Sequence, residues 1–312
     1  SSPQMAVADV AALVRQAAEV GFRKAVITGG EPLMHSRRDA LLDALGGLRR
    51  EVKPLQTVLR TNLAYALTPA LLHRLARSTD QVVVSVDGNE ASHDARRGKG
   101  SYDRTVANLK NLISSQPTAE VRLAAVLRPA AAKGKEGEAL RALGESLDLP
   151  VRIKSLLPLG RCAEAALRPD VYSSLCTSED KLLGARPAAT CGLGMNLYIA
   201  PDGDAYPCYT LMGARHYLGN VIHEGLAAVL KRNDRYRQVT VDSNRQCRKC
   251  DLRYLCGGFC RAWAADEGDP DSPPKNCDAL YARAQSQLAG ALEALHVPPE
   301  KWEPQTPSNE RK

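Results

Sequence analysis

Seven cysteines late in the chain recur at set intervals: Cys191, eleven residues to Gly203, four more to Cys208, then Cys247-x2-Cys250-x5-Cys256-x3-Cys260, and last Cys277. One tetrahedral metal takes four thiolates. Seven thiolates, with one further ligand, suit two four-ligand iron–sulfur clusters. Thiolates at two-, five- and three-residue intervals converge only where a loop wraps a metal centre, and Gly192 and Gly257-Gly258 supply the backbone such wrapping needs. Two thiolate zinc sites are the rival reading. Cys162 and Cys176 stand outside the pattern. A buried thiol is the default for both, and Cys176 is the better candidate for an eighth ligand.

A second group lies far upstream, where the β-branched run Lys24 to Thr28 enters Gly29-Gly30-Glu31-Pro32. Two glycines let the backbone approach a ligand closely, and Glu31 sets a carboxylate at the rim where it can accept from an ammonium group. Thr61-Asn62 and Ser85-Val86-Asp87-Gly88 follow later strands in the same way and offer short polar groups suited to ribose hydroxyls, with a turn-forming role as the plain alternative. Arg96 and Arg97 after His93-Asp94 could each pair with a carboxylate, against surface solvation as the alternative. A structural role is the default for His93.

The elements that must position these groups read as alternating strands and helices. Residues 5 to 20 carry Val10, Leu13, Val14, Ala17 and Val20 at helical spacing before a capping Gly21. Strands are predicted at Lys24 to Thr28, Gln56 to Thr61, Gln81 to Val86, Val121 to Leu127 and Val151 to Leu157. Between them, Thr68-Pro69 opens one helix with Leu71, Leu72 and Leu75 inward, and Ser101 caps another whose Val106, Leu109 and Ile113 face the core. Such alternation implies a parallel sheet with right-handed crossovers. Five strands are odd for a barrel, so the opening strand is expected upstream of Ser1.

From about residue 186 the texture changes to cysteine, glycine and aromatic residues, with a short strand from Asn196 to Ile199 before the Pro201-Asp202-Gly203 turn. Helical periodicity returns from Asp278 to Leu295. The expected organisation is a first domain at 1–185, a cysteine-rich domain at 186–295 and a disordered, proline-rich tail at 296–312.

Composition removes other classes. The formal charge is +7, but the basic residues are scattered and aromatics make up only 4%, which gives no base-stacking platform and argues against nucleic acid. Arg245, Arg248, Lys249 and Arg253 surround the Cys247 pair, where they could stabilise thiolate-rich clusters, meet an acidic peptide or simply be solvated. No run of eighteen apolar residues and no signal peptide occurs, so a cytoplasmic protein without a membrane segment is expected. In that compartment nine cysteines favour metal over disulfides.

With these residues in place, the chain resembles the radical SAM enzymes that carry a C-terminal SPASM domain. The likeness runs from about Met5 to Leu295 and includes Gly29-Gly30-Glu31-Pro32, Ser85-Val86-Asp87-Gly88 with His93-Asp94, Pro158-Leu159-Gly160-Arg161 and all seven patterned cysteines. The resemblance implies an α/β partial (β/α)6 TIM-like barrel, here lacking its first strand, followed by a small SPASM iron–sulfur domain. It implies that Gly29, Gly30 and Glu31 bind the methionine end of S-adenosylmethionine, that Ser85 meets the ribose and that Arg97 meets the carboxylate. It assigns Cys191, Cys208 and Cys260 to an inner auxiliary [4Fe-4S] cluster, whose fourth ligand is Cys176 or a substrate thiolate. Cys247, Cys250, Cys256 and Cys277 fall to an outer one.

The chain departs from the family in one respect. The C-x3-C-x2-C loop for a third, catalytic [4Fe-4S] cluster is missing, since the first cysteine is Cys162. Truncation is the expected reason, and the chain as given is expected to be inactive. For the intact enzyme the resemblance implies hydrogen abstraction by a 5′-deoxyadenosyl radical from a ribosomally made precursor peptide, forming a thioether or carbon–carbon link, with electrons from a flavodoxin or ferredoxin. Tyr209 stands where sulfatase-maturating members carry an Asp after the second SPASM cysteine, which sets that activity second and leaves Tyr209 a weak catalytic candidate. A non-catalytic metal scaffold that binds a peptide or partner is the reading from another class.

Overall fold

The computed structural model describes residues 3–155, 192–258, 269, 272–274, 277–294 and 296. Cys162, Cys176, Cys191, Cys260, the Pro158 to Arg161 segment and the tail after 296 lie outside the described residues. The described residues form two compact units. One comprises residues up to 155 with 199–205 and 219–229; the other comprises 192–198, 206–218 and 230 onward.

The first unit is built on five parallel strands, β1 (Lys24–Ile27), β2 (Gln56–Thr61), β3 (Gln81–Ser85), β4 (Glu120–Leu127) and β5 (Val151–Ser155). Each pairs with its successor, in the order β1-β2-β3-β4-β5. An unbroken order means that every crossover turns the same way, as in a barrel. Helices α1 (Val7–Glu19), α2 (Arg38–Glu51), α3 (Pro69–Ser78), α4 (Glu90–Arg97), α5 (Ser101–Ser114), α6 (Pro129–Lys133) and α7 (Lys135–Ser146) supply the connections.

Alternation decides which face of the sheet is covered. In β4, Val121, Leu123, Ala125 and Leu127 are buried while Arg122, Ala124 and Val126 are not. The buried set meets a leucine layer from the helices: Leu41, Leu42, Leu45 and Leu48 of α2, Leu71, Leu72 and Leu75 of α3, and Leu109 and Leu112 of α5. Each such leucine contributes about 1.5–3 kcal/mol by leaving water. Thr68 caps α3 as its sequence predicts, its hydroxyl accepting from the N–H of Leu71 at 3.2 Å.

Two expectations for α5 are corrected. Gly100, in the left-handed region at φ 72°, occupies the cap in place of Ser101, because Asp94 of α4 does the capping across the turn. Its carboxylate accepts from the N–H groups of Gly100 and Tyr102 and from the Ser101 hydroxyl. Val106 is only half-buried; Leu112, one turn after Leu109, is fully buried in its place. β5 is seen as far as Ser155, short of the predicted Leu157, beyond which the chain is not described.

At the amino-terminal edge of the sheet Asp80 joins three elements. Its carboxylate accepts from Arg49 of α2 at 3.1 Å, from Lys53 at 2.6 Å, and from the N–H and hydroxyl of Thr57 in β2 at 2.8 and 3.1 Å. Burial works to raise its pKa, but the bonds from Lys53, Thr57 and Arg49 outweigh it and hold the group below the ordinary carboxylate range. Because the folded pKa is depressed, this stabilisation is present above the unfolded value of about 3.9 and fades as pH falls through the folded value. Asp80→Asn should therefore lower stability by about 1–3 kcal/mol at neutral pH. Urea melts should show the loss shrinking below about pH 4; a loss that stays constant across that range would contradict the role given to Asp80.

Candidate functional site

All five strands run the same way, so the loops after them gather on the carboxyl edge of the sheet, where ligands sit in folds of this type. After β1 the chain enters Gly29-Gly30, both exposed, and a Cβ built on either would meet nothing within 4 Å. The backbone there is open to an approaching molecule. Glu31 follows, and its carboxylate turns back onto the neighbouring strand: Oε1 accepts from the Thr61 hydroxyl at 2.7 Å and the Leu33 N–H at 3.1 Å, and Oε2 accepts from the Asn62 N–H at 2.8 Å. A carboxylate offers roughly four acceptor positions. Three are used by the protein, so Glu31 keeps capacity for one external donor such as an ammonium group. The Thr61 hydroxyl is spent, since it is buried and also accepts from the Leu63 N–H at 3.1 Å. Thr61 thus acts on the site through Glu31.

The loop after β2 is held from α5. Thr105 donates to the Asn62 carbonyl at 2.8 Å, and Asn108 donates to the carbonyls of Leu63 and Tyr65 at 2.8 and 2.7 Å. At the end of β3, Ser85 is half-buried on the face turned away from the helices. Beyond it, Asp87 is buried and pairs with Arg97 at 2.5 Å, while its N–H donates to Nδ1 of His93 at 3.1 Å. His93 is fully buried, and its accepting Nδ1 fixes the neutral ring with the proton on Nε2. Burial, reinforced by Arg97, lowers its pKa below the ordinary histidine value. The ring thus supports the loop after β3 from within the fold. Both arginines of the segment find carboxylates within the fold: Arg97 on Asp87, and Arg96 on Glu136 of α7 at 3.0 Å.

Gly88 explains why that loop is so close-fitting. It sits at φ 100°, and a Cβ there would lie 2.8 Å from both Cβ of Glu136 and Oγ of Ser92. Gly88→Ala should cost about 1–3 kcal/mol and release the β3–α4 loop. Faster amide exchange at residues 86–92 would report that release, and an unchanged melt with unchanged exchange would contradict it.

Gly203, the glycine inside the cysteine pattern, is forced in the same way. At φ 92° it lies under Asn220 and Ile222, and a Cβ would approach their side chains to 2.8 and 2.7 Å. Asn220 spans this turn by donating to the Asp202 carbonyl and the Asp204 carboxylate, both at 3.0 Å. The turn joins β6 (Tyr198–Ile199) to β7 (Asp204–Tyr206), which pairs antiparallel with β8 (Gly219–Asn220). The predicted strand from Asn196 is thus shorter than its sequence suggests.

In the second unit the Cys247-x2-Cys250 segment is a 3-10 turn, with the Cys250 N–H on the Cys247 carbonyl at 2.9 Å. Buried Asn244 accepts from the Cys247 N–H at 2.8 Å and starts the turn. Arg253 donates to the Cys250 carbonyl and to Asp242, both at 3.0 Å, and lies over the Tyr254 ring. Arg245, Arg248 and Lys249 are exposed. Tyr281 donates to Asp251 at 3.1 Å from the helix Cys277–Ala294. Cys277 opens that helix, four positions before Tyr281. Among the described residues no three Cys, His, Asp or Glu side chains converge as a metal set. Cys208 meets Thr210 at 3.2 Å, and Tyr209 beside it is exposed. The donor set is thiolate, and the backbone around Cys247 and Cys250 is braced at both ends, which suits a soft metal centre.

Residues 2–126 match the model of the Radical SAM superfamily, and residues 191–251 match SPASM, an iron-sulfur cluster-binding domain. The chain is 30% identical over 303 residues to the mycofactocin maturase MftC of Mycolicibacterium smegmatis, covering 88% of this chain and 73% of that one. Among solved structures, anSMEcpe with bound AdoMet superposes with a TM-score of 0.68 at 17% identity, covering 93% of this chain and 86% of that one. SuiB of Streptococcus suis bound to S-adenosylmethionine gives 0.65 at 18% identity, covering 87% and 69%.

The chain belongs to the radical SAM enzymes that carry a SPASM domain. Its fold is the α/β fold of that family, and its cofactors are S-adenosylmethionine and iron–sulfur clusters.

Metal binding and folding are coupled in cysteine loops. Cys256→Ala should therefore reduce the iron of anaerobically prepared protein from about eight to about four per chain and lower the melting temperature. Unchanged iron and melting would place Cys256 outside the ligand set.

Proposed function

We propose that the enzyme is a peptide-modifying maturase that joins positions within a ribosomally made precursor peptide through a thioether or carbon–carbon bond. The observation that carries this reading is the similarity to MftC along most of both chains, supported by the shared fold with SuiB, which has also been solved with its precursor peptide SuiA. Tyr209, in place of an Asp after Cys208, keeps sulfatase maturation the second reading.

When bound, S-adenosylmethionine would supply the radical chemistry that removes a hydrogen atom from the substrate. Gly29 and Gly30 admit its methionine end to the backbone, and Glu31 offers its remaining acceptor position to the ammonium group. Ser85 lines the ribose side with Asn62, and Arg97, at the carboxyl end of α4, is held by Asp87 of the loop after β3 to meet the methionine carboxylate. Cys191, Cys208 and Cys260, completed by Cys176 or by a substrate thiolate, hold the inner auxiliary cluster. Cys247, Cys250, Cys256 and Cys277 hold the outer one. Residues 1–185 act as the radical domain and 186–295 as the electron-relaying SPASM domain, fed by a flavodoxin or ferredoxin in the cytoplasm. No helix among the described residues is long and apolar enough to cross a membrane.

The test is chemical. The enzyme, prepared anaerobically with a C-x3-C-x2-C loop ahead of these residues and supplied with a reductant, should convert S-adenosylmethionine to 5′-deoxyadenosine when given a ribosomally made precursor peptide as substrate. That peptide should lose the mass of two hydrogens. Cofactor cleavage with the peptide unaltered would overturn the maturase reading.

A further inference from the structure

The sheet has a second face, turned away from the helices, whose composition is unusual. The register places Lys24, Arg60, Arg122, Arg152 and Lys154 there, with Glu120 as the single carboxylate. Along β2 to β5 the rows Arg60–Val83–Arg122 and Ser85–Ala124–Arg152 are in direct register, and Lys154 lies one row nearer the carboxyl edge. Arg152 therefore shares a row with Ser85, at the mouth of the candidate site. The one acid is already engaged: Glu120 accepts from Arg122 and from Gln81. Among the described residues neither Arg152 nor Lys154 has an ion-pair partner.

Burial, with the like charges of Arg60 and Arg152 acting in the same direction, lowers the Lys154 pKa to about 8. Arg60 lies on β2 and Lys154 on β5, so these cations share one field across the face even though their strands are not neighbours. Lys24, Arg60 and Arg152 are exposed and Arg122 and Lys154 half-buried, so the face presents clustered positive charge to which a ligand of opposite charge is attracted.

We infer that this face binds an acidic segment of the peptide substrate, with Arg152 and Lys154 as the carboxylate-recognising residues beside Ser85. The inference rests on the maturase reading for its peptide. It adds the chemistry of recognition: aspartate or glutamate side chains, or a terminal carboxylate, close to the residue that is modified. Arg152 at the level of Ser85 and Lys154 nearer the edge hold the acidic group and position the reacting residue between them.

The test is binding, measured by fluorescence anisotropy on the full chain prepared anaerobically, with a labelled peptide of alternating glutamate and glycine and its glutamine counterpart. The acidic peptide should bind about tenfold tighter or more at low salt, and the advantage should shrink as ionic strength rises. Arg152→Gln with Lys154→Gln should abolish the preference, while Arg152→Lys with Lys154→Arg should keep it. The exposed control pair Lys99→Gln and Lys110→Gln should leave it intact. Equal binding of the two peptides by the unaltered chain, or an equal loss in the control pair, would overturn the inference. So would complete displacement of the acidic peptide by S-adenosylmethionine, which would assign the cations to the methionine carboxylate. No turnover is involved, so a peptide that binds but is never altered counts against the maturase reading alone.

Discussion

The carboxylate of Glu31 bonds the end of one strand to the end of the next, and much of the site is arranged around that link. Parallel strands pair side by side through their backbones, yet their terminal loops have no such partners and would otherwise be set only by their own sequences. By accepting from the Thr61 hydroxyl and the Asn62 N–H, Glu31 fixes the Gly29-Gly30 turn against the loop after β2. Thr105 and Asn108 fix that loop in turn from α5. Asp94 caps α5, and its neighbour His93 holds the loop after β3. One chain of hydrogen bonds thus runs along the carboxyl edge. The opposite edge is tied separately by Asp80, so stability and ligand binding rest on different ends of the same strands.

The second unit solves a different problem. Its turns are braced by single polar side chains: Asn244 at the start of the Cys247 turn, Arg253 across Cys250, and Tyr281 from the Cys277 helix. A loop-rich region of this kind has little apolar surface to bury, and metal–thiolate bonds supply the missing cohesion. Gly203 shows the same economy, since its lack of a side chain allows Asn220 to close the turn inside the cysteine pattern.

Much of the fold was legible because it is local. β2 and the Thr68 cap follow directly from β-branched runs and N-cap chemistry, and the five strands lie where apolar runs end in turn residues. The cysteine spacing and the Gly-Gly-Glu-Pro turn were sufficient for the family. What escaped is non-local. Thirty residues separate Glu31 from Thr61, and no spacing rule reports that contact. Ser101 has the right type for a cap, but Asp94 displaces it from a neighbouring helix. The partner of Arg97 is hidden in the same way, because nothing in the sequence reveals that Asp87, ten positions earlier, faces it. The alternation that made the strands recognisable also concealed the basic face, which becomes visible only when the register aligns β2 with β5.

The central claim is that the carboxyl edge, organised by Glu31, is where S-adenosylmethionine binds. Hydrogen–deuterium exchange on the anaerobically reconstituted enzyme, with and without that cofactor, tests it most directly. The account predicts slowed exchange at three separated stretches together, residues 28–33, 61–64 and 85–88, with the Asp80 edge unaffected. Protection confined to other segments, or slowed exchange at the amino-terminal edge instead, would contradict it.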